Sequence, residues 1–221
     1  MIKNDGLKRA FVDFDVSLAK ELITEDVLAK HWAEIKVIRF KKKVGEIIEA
    51  AKVIAEIGYE FGSFVKYLEW IGVPRRIKGQ EDIDIFWEEF DNLRVDLKAR
   101  CLPIISNEIT LLHFLESDLQ LDCIKPDTIV MQVMTNTGIV SSKGRGMIRL
   151  AVKKVQEYCL RTGIRPQLID RYLLAFGGQT WAKDVVTKSY CKAHHDCDFI
   201  SCPVGYVRLC PASMVQEKKL S

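Results

Sequence analysis

Apolar residues recur at intervals of three and four along most of the chain, which is the spacing that places them on one face of an α-helix. The pattern is clearest over residues 41–57, where lysine and glutamate occupy the intervening positions. Gly58 follows and is predicted to end this helix. No segment shows a sustained run of alternating apolar and polar residues, so the sequence predicts an all-α fold. The apolar positions of the clearest helix are Val44, Ile47, Ile48, Ala51, Val53, Ile54 and Ile57.

Glycine, proline and capping residues divide the rest of the chain into further helices. Residues 15–36 are predicted to be helical, with Thr24 as an N-cap. A short helix is predicted to begin at Ser63 and to end at Gly72. Other helices are predicted at 83–90, 95–100, 108–119, 128–137, 147–161 and 167–176, with a loop at 75–84.

Composition places the chain among compact globular proteins that need no disulfide bonds. It has 221 residues, of which 48% are hydrophobic, and a net charge of +3. No signal peptide and no apolar run long enough for a membrane helix is visible, so we expect a cytoplasmic protein without membrane contact. Residues 1–221 are expected to form one helical unit.

Four of the seven cysteines lie within 20 residues near the end of the sequence. Thiols stay reduced in the cytoplasm, so clustered cysteines there favour a metal over disulfides. Four thiolates suit either zinc or an iron–sulfur cluster. The spacing is Cys191-x5-Cys197-x4-Cys202-x7-Cys210, with Pro203 directly after the third cysteine.

Two observations leave the nature of this loop open. His194 and His195 lie inside it, and either could replace a cysteine as a zinc ligand. The four cysteines could also be small buried hydrophobic residues, a common role for a free thiol. The absence of closely spaced C-x2-C pairs favours a larger cluster over a zinc ribbon.

Asp127 follows Pro126 and directly precedes the predicted helix 128–137. An aspartate at this position commonly caps the helix by accepting hydrogen bonds from its first backbone N–H groups. A carboxylate held there could also stabilise a cationic transition state or activate water. The sequence by itself leaves both roles open.

The order of these features resembles the helix-hairpin-helix DNA glycosylases of the endonuclease III superfamily, of the iron–sulfur type. That family has an L-P-G-V-G-x-x-T-A hairpin, then a V-D-T-H block with the catalytic aspartate, a helix and a four-cysteine loop containing C-P. Here the counterparts are the segment 102–110, the Pro126-Asp127-Thr128 block, the helix at 169–177 and the loop 191–210. The resemblance covers roughly residues 22 to 210.

The resemblance implies a two-lobed, all-α glycosylase fold with lobes at 22–140 and 141–212. It implies a base-excision repair enzyme that hydrolyses the N-glycosidic bond of a damaged base in double-stranded DNA, after flipping the base out of the stack. Asp127 would be catalytic, and the chain would act as a monomer. A 4Fe-4S cluster, or alternatively zinc, would be held by Cys191, Cys197, Cys202 and Cys210.

The hairpin departs from the family pattern in two ways. Ile104-Ile105-Ser106 stands in place of Gly-Val-Gly, whose glycines let the backbone approach a DNA phosphate. Glu108 stands where lyase-competent members carry a Schiff-base lysine, so a monofunctional enzyme is expected. The predicted DNA contacts are Ile105, Ser106, Asn107 and Glu108 of the hairpin, together with Lys143 and Arg145 of a later basic loop.

Alternatives to this interpretation also have support in the sequence. A non-catalytic DNA-binding member would explain the altered hairpin. Residues 62–68 are similar to a segment of the zinc-binding 3-methyladenine glycosylase I family, although no cysteine or histidine precedes His31 where that family has zinc ligands. A zinc-stabilised helical adaptor would leave the order of motifs unexplained. Aromatic residues that could stack on a base, or instead belong to the core, are Trp32, Tyr59, Phe61, Trp70 and Trp87.

Overall fold

A computed structural model of the chain describes residues 5–35, 38–103, 107–142 and 144–177. These residues form helices and connecting loops and contain no strand, which confirms the predicted all-α class. The predicted four-cysteine loop lies outside the described residues. None of the described helices combines the length and the apolar run that crossing a bilayer requires.

The helices of this described part are mostly short, and two reach 20 residues. A 3-10 turn at Val12–Phe14 and a π-helical segment at Phe114–Asp118 accompany them. The α-helices are α1 (Asp5–Ala10), α2 (Val16–Ala19), α3 (Thr24–His31), α4 (Lys42–Phe61), α5 (Phe64–Ile71), α6 (Gln80–Ala99), α7 (Glu108–His113), α8 (Thr128–Asn136), α9 (Arg145–Thr162) and α10 (Pro166–Phe176).

The chain divides into two compact units. Among the described residues, the first unit contains those up to Val73 and in the stretch Ile85–Glu108, and the second contains Pro74–Asp84 and those from Ile109 to Gly177. The predicted lobes at 22–140 and 141–212 remain a prediction.

The first unit is built on contacts of α4 with α2, α3 and α5. One apolar cluster joins α1, α3 and α4 through Ala10, Phe11, Val27, Ile35, Val44 and Ile48. A polar network also connects helices of this unit. The Tyr67 hydroxyl and Arg100 Nε both donate to Asp96 Oδ2, at 2.6 and 2.7 Å, and Arg100 Nη1 donates to Glu60 Oε2 at 2.7 Å.

Helix α6 is one continuous helix where the sequence predicted two separated helices at 83–90 and 95–100. Phe86, Phe90, Leu93 and Leu97 follow one another at intervals of three and four, and all four are fully buried. The interval between the predicted helices contains Asp91 and Asn92, which favour a break on local propensity. Burial of the continuous apolar face overrides that preference.

Helix α4 runs past Gly58, which the sequence predicted to end it. Gly58 remains helical, and the chain turns at Gly62, whose φ of 83° is in the left-handed region that glycine adopts without strain. The predicted start and end of α5 are confirmed, because the Ser63 hydroxyl caps Lys66 N–H and Gly72 adopts the left-handed conformation.

The N-terminal prediction was wrong in detail. Within its described residues, the predicted helical stretch 15–36 contains two short helices, α2 and α3, and the second starts at Thr24. Asp15 caps α2, whereas Ile23 occupies the N-cap of α3 without a side-chain hydrogen bond, so Thr24 is the first helical residue. Helix α1 was not predicted.

In the second unit, α8, α9 and α10 pack against one another. The three helices predicted at 128–137, 147–161 and 167–176 are confirmed, and their ends differ from the predictions by no more than two residues. The predicted helix 108–119 begins as α7 and continues as the π-helical segment. This unit contains Asp127.

Candidate active site

Asp127 is the N-cap of α8. Its Oδ1 accepts hydrogen bonds from the backbone N–H groups of Ile129 and Val130, at 2.9 and 3.0 Å. Its Oδ2 lies 3.7 Å from Lys125 Nζ, and 21% of the side chain is exposed. The capping role is therefore real, and it leaves one carboxylate oxygen beside a lysine and in reach of solvent.

The segment before Asp127 is a non-helical stretch in the interior of the second unit. We call residues 121–127 the Asp127 loop. Leu121, Asp122, Cys123 and Ile124 are all buried. A buried loop must have its backbone polar groups satisfied, and side chains from neighbouring helices satisfy part of them here.

Two glutamines hold the beginning of the Asp127 loop. Gln156 of α9 donates its Nε2 amide to the carbonyl of Asp122 at 2.9 Å. Gln167 of α10 donates to the carbonyl of Leu121 at 2.5 Å. Both glutamines are buried, and a buried polar group that loses its hydrogen bond destabilises the fold.

The Asp122 carboxylate ties the loop to the segment that precedes α6. Its Oδ1 accepts from Arg76 Nη1 at 2.8 Å, and its Oδ2 accepts from Ile77 N–H at 3.1 Å. The backbone N–H of Asp122 also donates to the carbonyl of Arg75 at 3.2 Å. Backbone and side-chain hydrogen bonds therefore join the Asp127 loop to the segment before α6.

Asp170 of α10 is a second buried carboxyl near Asp127. Its pKa is raised to about 7, chiefly by burial and also by the negative charges of Glu116 and Asp127, while the backbone and the positive charge of Lys125 act in the opposite direction. Its Oδ1 has no hydrogen-bond partner among the described residues. An acid with such a pKa exchanges its proton near neutral pH, the range in which general acid–base groups work.

Glu116 is the third buried carboxylate of this region, and it accepts a hydrogen bond from Ser117 Oγ at 2.7 Å. Four carboxyl groups in one region, those of Glu116, Asp122, Asp127 and Asp170, raise the question of a metal ion. Within the described ranges no group of three or more histidine, cysteine, aspartate or glutamate side chains could hold one.

A cavity of about 370 Å³ opens beside the junction of Asp122 with Arg76. Its walls come from the segment before α6, from the end of α9 and from the start of α10. The lining combines cationic side chains with apolar ones and includes Arg76, Lys78, Arg165, Ile77, Leu160 and Ile164.

The predicted DNA contacts are only partly described by the structure. Ile105, Ser106 and Lys143 lie outside the described residues, and for Arg145 only the backbone, at the start of α9, is described. Glu108 begins α7 and accepts a hydrogen bond from Arg94 Nη1 at 3.2 Å. The Glu108 carboxylate is thus part of an ion pair with Arg94. Asn107 directly precedes α7.

The predicted metal ligands Cys191, Cys197, Cys202 and Cys210 also lie outside the described residues. The other three cysteines are free thiols that the fold does not bring together as ligands. Burial raises the pKa of Cys123 well above its usual value and that of Cys159 to about 11. A raised pKa disfavours the thiolate, the reactive form of cysteine, at both positions.

The five aromatic candidates separate into core and surface residues. Trp87 is buried and packs edge-on against Phe86 and Phe90, so it belongs to the core of the first unit. Tyr59 is 96% exposed and Trp70 is 66% exposed. Half-buried Phe61 and Trp32 each lie beneath a cation, Arg100 and Lys41 respectively.

Asp170, Gln167, Gln156 and Glu116 were not predicted as site residues. On α10 the pattern is misleading, because Leu168 and Tyr172 are 44% and 62% exposed while Gln167 and Asp170 are buried. A polar pair three residues apart in an amphipathic helix normally marks the solvent face. The four residues are identified only by the structure, which buries the polar residues of α10 and exposes two of its apolar ones.

The protein is helical, and its candidate site holds a carboxylate at the N-terminus of a helix. Comparison with known families identifies the class of protein to which the chain belongs. The family model for methyladenine glycosylases matches residues 1–117. The match covers more than half of the chain, so the chain belongs to the methyladenine glycosylase family and is a DNA glycosylase, a hydrolase of N-glycosyl bonds. The match ends before Asp127. No curated protein and no solved structure matches the chain.

The comparison favours one of the alternatives that the sequence left open. The predicted likeness of residues 62–68 to the 3-methyladenine glycosylases falls inside the matched range. The DNA glycosylase activity predicted from the sequence is confirmed, whereas the iron–sulfur endonuclease III type is not.

Proposed function

We propose that the chain is a monofunctional glycosylase that removes methylated adenine from DNA, and that Asp127 is its catalytic carboxylate. The family match supports the reaction class and the base. The geometry of Asp127 supports its role, because Oδ1 is fixed by two backbone N–H groups while Oδ2 remains beside Lys125. A carboxylate held in this way needs no reorganisation when positive charge develops nearby.

In the proposed reaction the bond between the base nitrogen and the anomeric carbon of deoxyribose breaks, and the base leaves with the electron pair. An adenine methylated on its ring carries a positive charge in DNA, so it departs as a neutral molecule and the charge passes to the sugar. Asp127 stabilises this charge. The oxygen of a water molecule then bonds to the anomeric carbon, and the water releases one proton to solvent.

The partner is double-stranded DNA, from which the target base is flipped out of the stack. The chain acts as a cytoplasmic monomer. The hairpin residues Ile105, Ser106, Asn107 and Glu108, with Lys143 and Arg145, contact the DNA in this proposal.

The four C-terminal cysteines Cys191, Cys197, Cys202 and Cys210 hold a 4Fe-4S cluster or zinc in this proposal. Four thiolate donors suit either, and both would have a structural role. Metal analysis and the visible spectrum of purified protein test the assignment. Iron and sulfide with a brown colour support the cluster, one bound zinc supports the alternative, and a protein without metal contradicts both.

The decisive test of Asp127 uses methylated duplex DNA with labelled methyl groups and measures the release of free methyladenine, after subtraction of the release without enzyme. Asp127→Asn keeps an oxygen that can cap α8 but removes the charge. We expect its turnover to fall by roughly 100- to 1,000-fold, as when a preorganised electrostatic group is lost.

Asp15→Asn is the matched control. Asp15 caps α2 in the same manner, through hydrogen bonds from Ser17 N–H and Leu18 N–H, in the first unit. Base release by this variant is expected to equal that of the wild type. Full activity of Asp127→Asn would show that Asp127 is only a cap. DNA binding by the wild type without base release would support a non-catalytic member of the family instead.

A further inference from the structure

We propose that the cavity beside the junction of Asp122 with Arg76 binds a phosphate of the DNA backbone, through the side chains of Arg76, Lys78 and Arg165. The inference rests on the proposed action of the protein on DNA, and it does not depend on the catalytic role of Asp127. All residues that line the cavity belong to the second unit. The three cations are not among the DNA contacts predicted from the sequence.

The three cations come from two stretches of the chain that are far apart in sequence. Arg76 and Lys78 lie in the segment before α6, and Arg165 lies in the connection between α9 and α10. The fold brings them to one cavity of about 370 Å³. The family match includes Arg76 and Lys78 and ends before Arg165, so the cavity combines residues from inside and outside the matched range.

The guanidinium of Arg76 is held in place at the cavity by Asp122. Arg76 Nη1 donates to Asp122 Oδ1 at 2.8 Å, and 49% of the Arg76 side chain is exposed. Asp122 is itself fixed, because its Oδ2 accepts from Ile77 N–H at 3.1 Å and its carbonyl accepts from Gln156 Nε2 at 2.9 Å. A guanidinium that is already oriented loses little freedom on binding, and its planar set of donors suits phosphate oxygens.

Positive charge prevails in the lining of the cavity. The side chain of Asp122 is the one carboxylate that the lining contains, against three cations, which leaves a net charge of +2. That carboxylate already pairs with Arg76. Within the described residues, the side chains of Lys78 and Arg165 have neither a hydrogen bond nor an ion pair. Like charges around a concave surface attract an oppositely charged ligand, so the cavity is suited to an anion.

The apolar part of the lining favours a phosphate of the DNA backbone over a free phosphate ion. Ile77, Leu160 and Ile164 line the same cavity as the cations. A free phosphate ion is polar on every side and gains nothing from an apolar wall, whereas a backbone phosphate is flanked by the carbon atoms of two sugars. The chain is a DNA glycosylase, and contacts to phosphates position such a protein on its duplex.

The cavity is also close enough to Asp127 for one duplex to reach both. Asp122, in the wall of the cavity, precedes Asp127 by five residues, which span at most about 18 Å when fully extended. Duplex DNA rises by about 3.4 Å for each base pair. The wall of the cavity therefore lies within the length of about five base pairs from Asp127, so a phosphate bound there belongs to the DNA around the flipped base.

The test measures the affinity for methylated duplex DNA between about 50 and 200 mM salt, because each neutralised phosphate adds about 0.9 to the slope of log affinity against log salt. In the double variant Lys78→Gln/Arg165→Gln we expect this slope to fall by about 0.9, with roughly tenfold weaker binding at about 0.1 M salt. Arg76 is left unchanged because it pairs with Asp122. An unchanged slope would overturn the inference.

The double variant Lys153→Gln/Lys154→Gln is the matched control. It removes the same charge from α9, at two residues that do not line the cavity. Lys153 lies 3.8 Å from Asp84 Oδ1, and Lys154 lies 3.0 Å from Glu157 Oε2. The salt slope of the control should change by less than half as much as that of the cavity variant. Equal changes would show that the DNA responds to overall charge, and they would contradict a phosphate site in the cavity.

Ethylation of single phosphates in the methylated duplex locates the contact. For the wild type we expect weaker binding when a phosphate within about five base pairs of the methyladenine is ethylated. The Lys78→Gln/Arg165→Gln variant should lose this sensitivity at one phosphate and keep it at the others. The same pattern in both proteins would overturn the inference.

Titration with inorganic phosphate, followed by calorimetry, distinguishes the two sources of the anion. Weak binding, or none, by the wild type agrees with a site for backbone phosphate. If inorganic phosphate binds the wild type but not the Lys78→Gln/Arg165→Gln variant, and the salt slope for DNA is the same in both, the cavity is a site for a free anion and the inference fails.

The Asp127→Asn variant separates this inference from the catalytic assignment. If Asp127→Asn is inactive and the Lys78→Gln/Arg165→Gln variant binds DNA like the wild type, only the phosphate site is wrong. If Asp127→Asn is fully active and the cavity variant shows the reduced salt slope, only the catalytic assignment is wrong. A wild-type protein that does not bind DNA would contradict both.

Discussion

Arg76 and Asp122 form an ion pair, with 2.8 Å between Nη1 and Oδ1, that connects the segment before α6 to the loop leading to Asp127. The same carboxylate accepts a hydrogen bond from Ile77 N–H, and only 12% of the Asp122 side chain is exposed. The pair therefore differs from the surface ion pairs of this chain, which contribute little because water screens them.

Replacement of Asp122 should destabilise the second unit. Asp122→Ala leaves the Ile77 N–H and the exposed Arg76 side chain without their acceptor, and we expect a cost of about 2 kcal/mol in the free energy of unfolding, measured in urea. Asp84→Ala is the control, because Asp84 is 68% exposed and pairs with Lys153 at 3.8 Å. That change should cost less than about 0.5 kcal/mol. Equal effects of the two changes would contradict this account.

Replacement by alanine should change the stability in opposite directions at Gly58, within α4, and at Gly62, directly after it. Gly62 has a φ of +83°, where a Cβ is strained although its nearest contact, Lys66, is 3.6 Å away. Gly62→Ala is expected to cost about 1 kcal/mol in stability. Gly58 lies inside the helix with nothing within 4 Å of a built Cβ, so Gly58→Ala should gain up to about 1 kcal/mol. Urea unfolding of both variants gives the comparison, and effects of the same sign would contradict it.

The stability of the protein should depend on pH through Asp170. The folded protein binds this proton up to about pH 7, whereas the unfolded chain releases it near pH 4. The folded state thus holds more protons between these values, and its stability falls as pH rises from 4 to 7 and then levels. The loss is at most on the order of 4 kcal/mol.

Urea unfolding of the wild type and Asp170→Asn at several pH values isolates this contribution, since the other groups titrate alike in both. The wild-type value minus the variant value should decrease between pH 4 and pH 7. A difference that stays constant over this range would show that Asp170 is ionised throughout.

The product of the reaction should be an intact strand with an abasic site. The resemblance sets Glu108 at the position of the Schiff-base lysine, and Glu108 carries a carboxylate, paired with Arg94, which cannot act as the amine. Strand breaks should appear only after treatment with alkali, and borohydride should trap no covalent complex between enzyme and DNA. If a complex is trapped, the monofunctional assignment is wrong. Lys125, whose Nζ lies 3.7 Å from Asp127 Oδ2, is then the first amine to replace.

Local sequence signals predicted the elements of this fold well where the signal is itself local. Ser63 and Gly72 bound α5, and Asp127 caps α8, because capping needs only a few neighbouring residues and a suitable φ. The wrong predictions concern Asp91 and Asn92 within α6 and Gly58 within α4. At both places the local preference for a break is outweighed by apolar residues that the tertiary structure buries on either side.

The sequence by itself determined the helical class and the place of Asp127 at a helix start. Each follows from residue identity and spacing. The tertiary structure decided that Gln167 and Asp170 face inward and that Asp170 shares its surroundings with Asp127 and Glu116. The periodicity of apolar residues predicts that this pair is exposed, because it indicates only which residues share a helix face. Which face is buried depends on neighbours distant in the chain, and the pKa of a buried carboxyl depends on the charges that those neighbours bring to it.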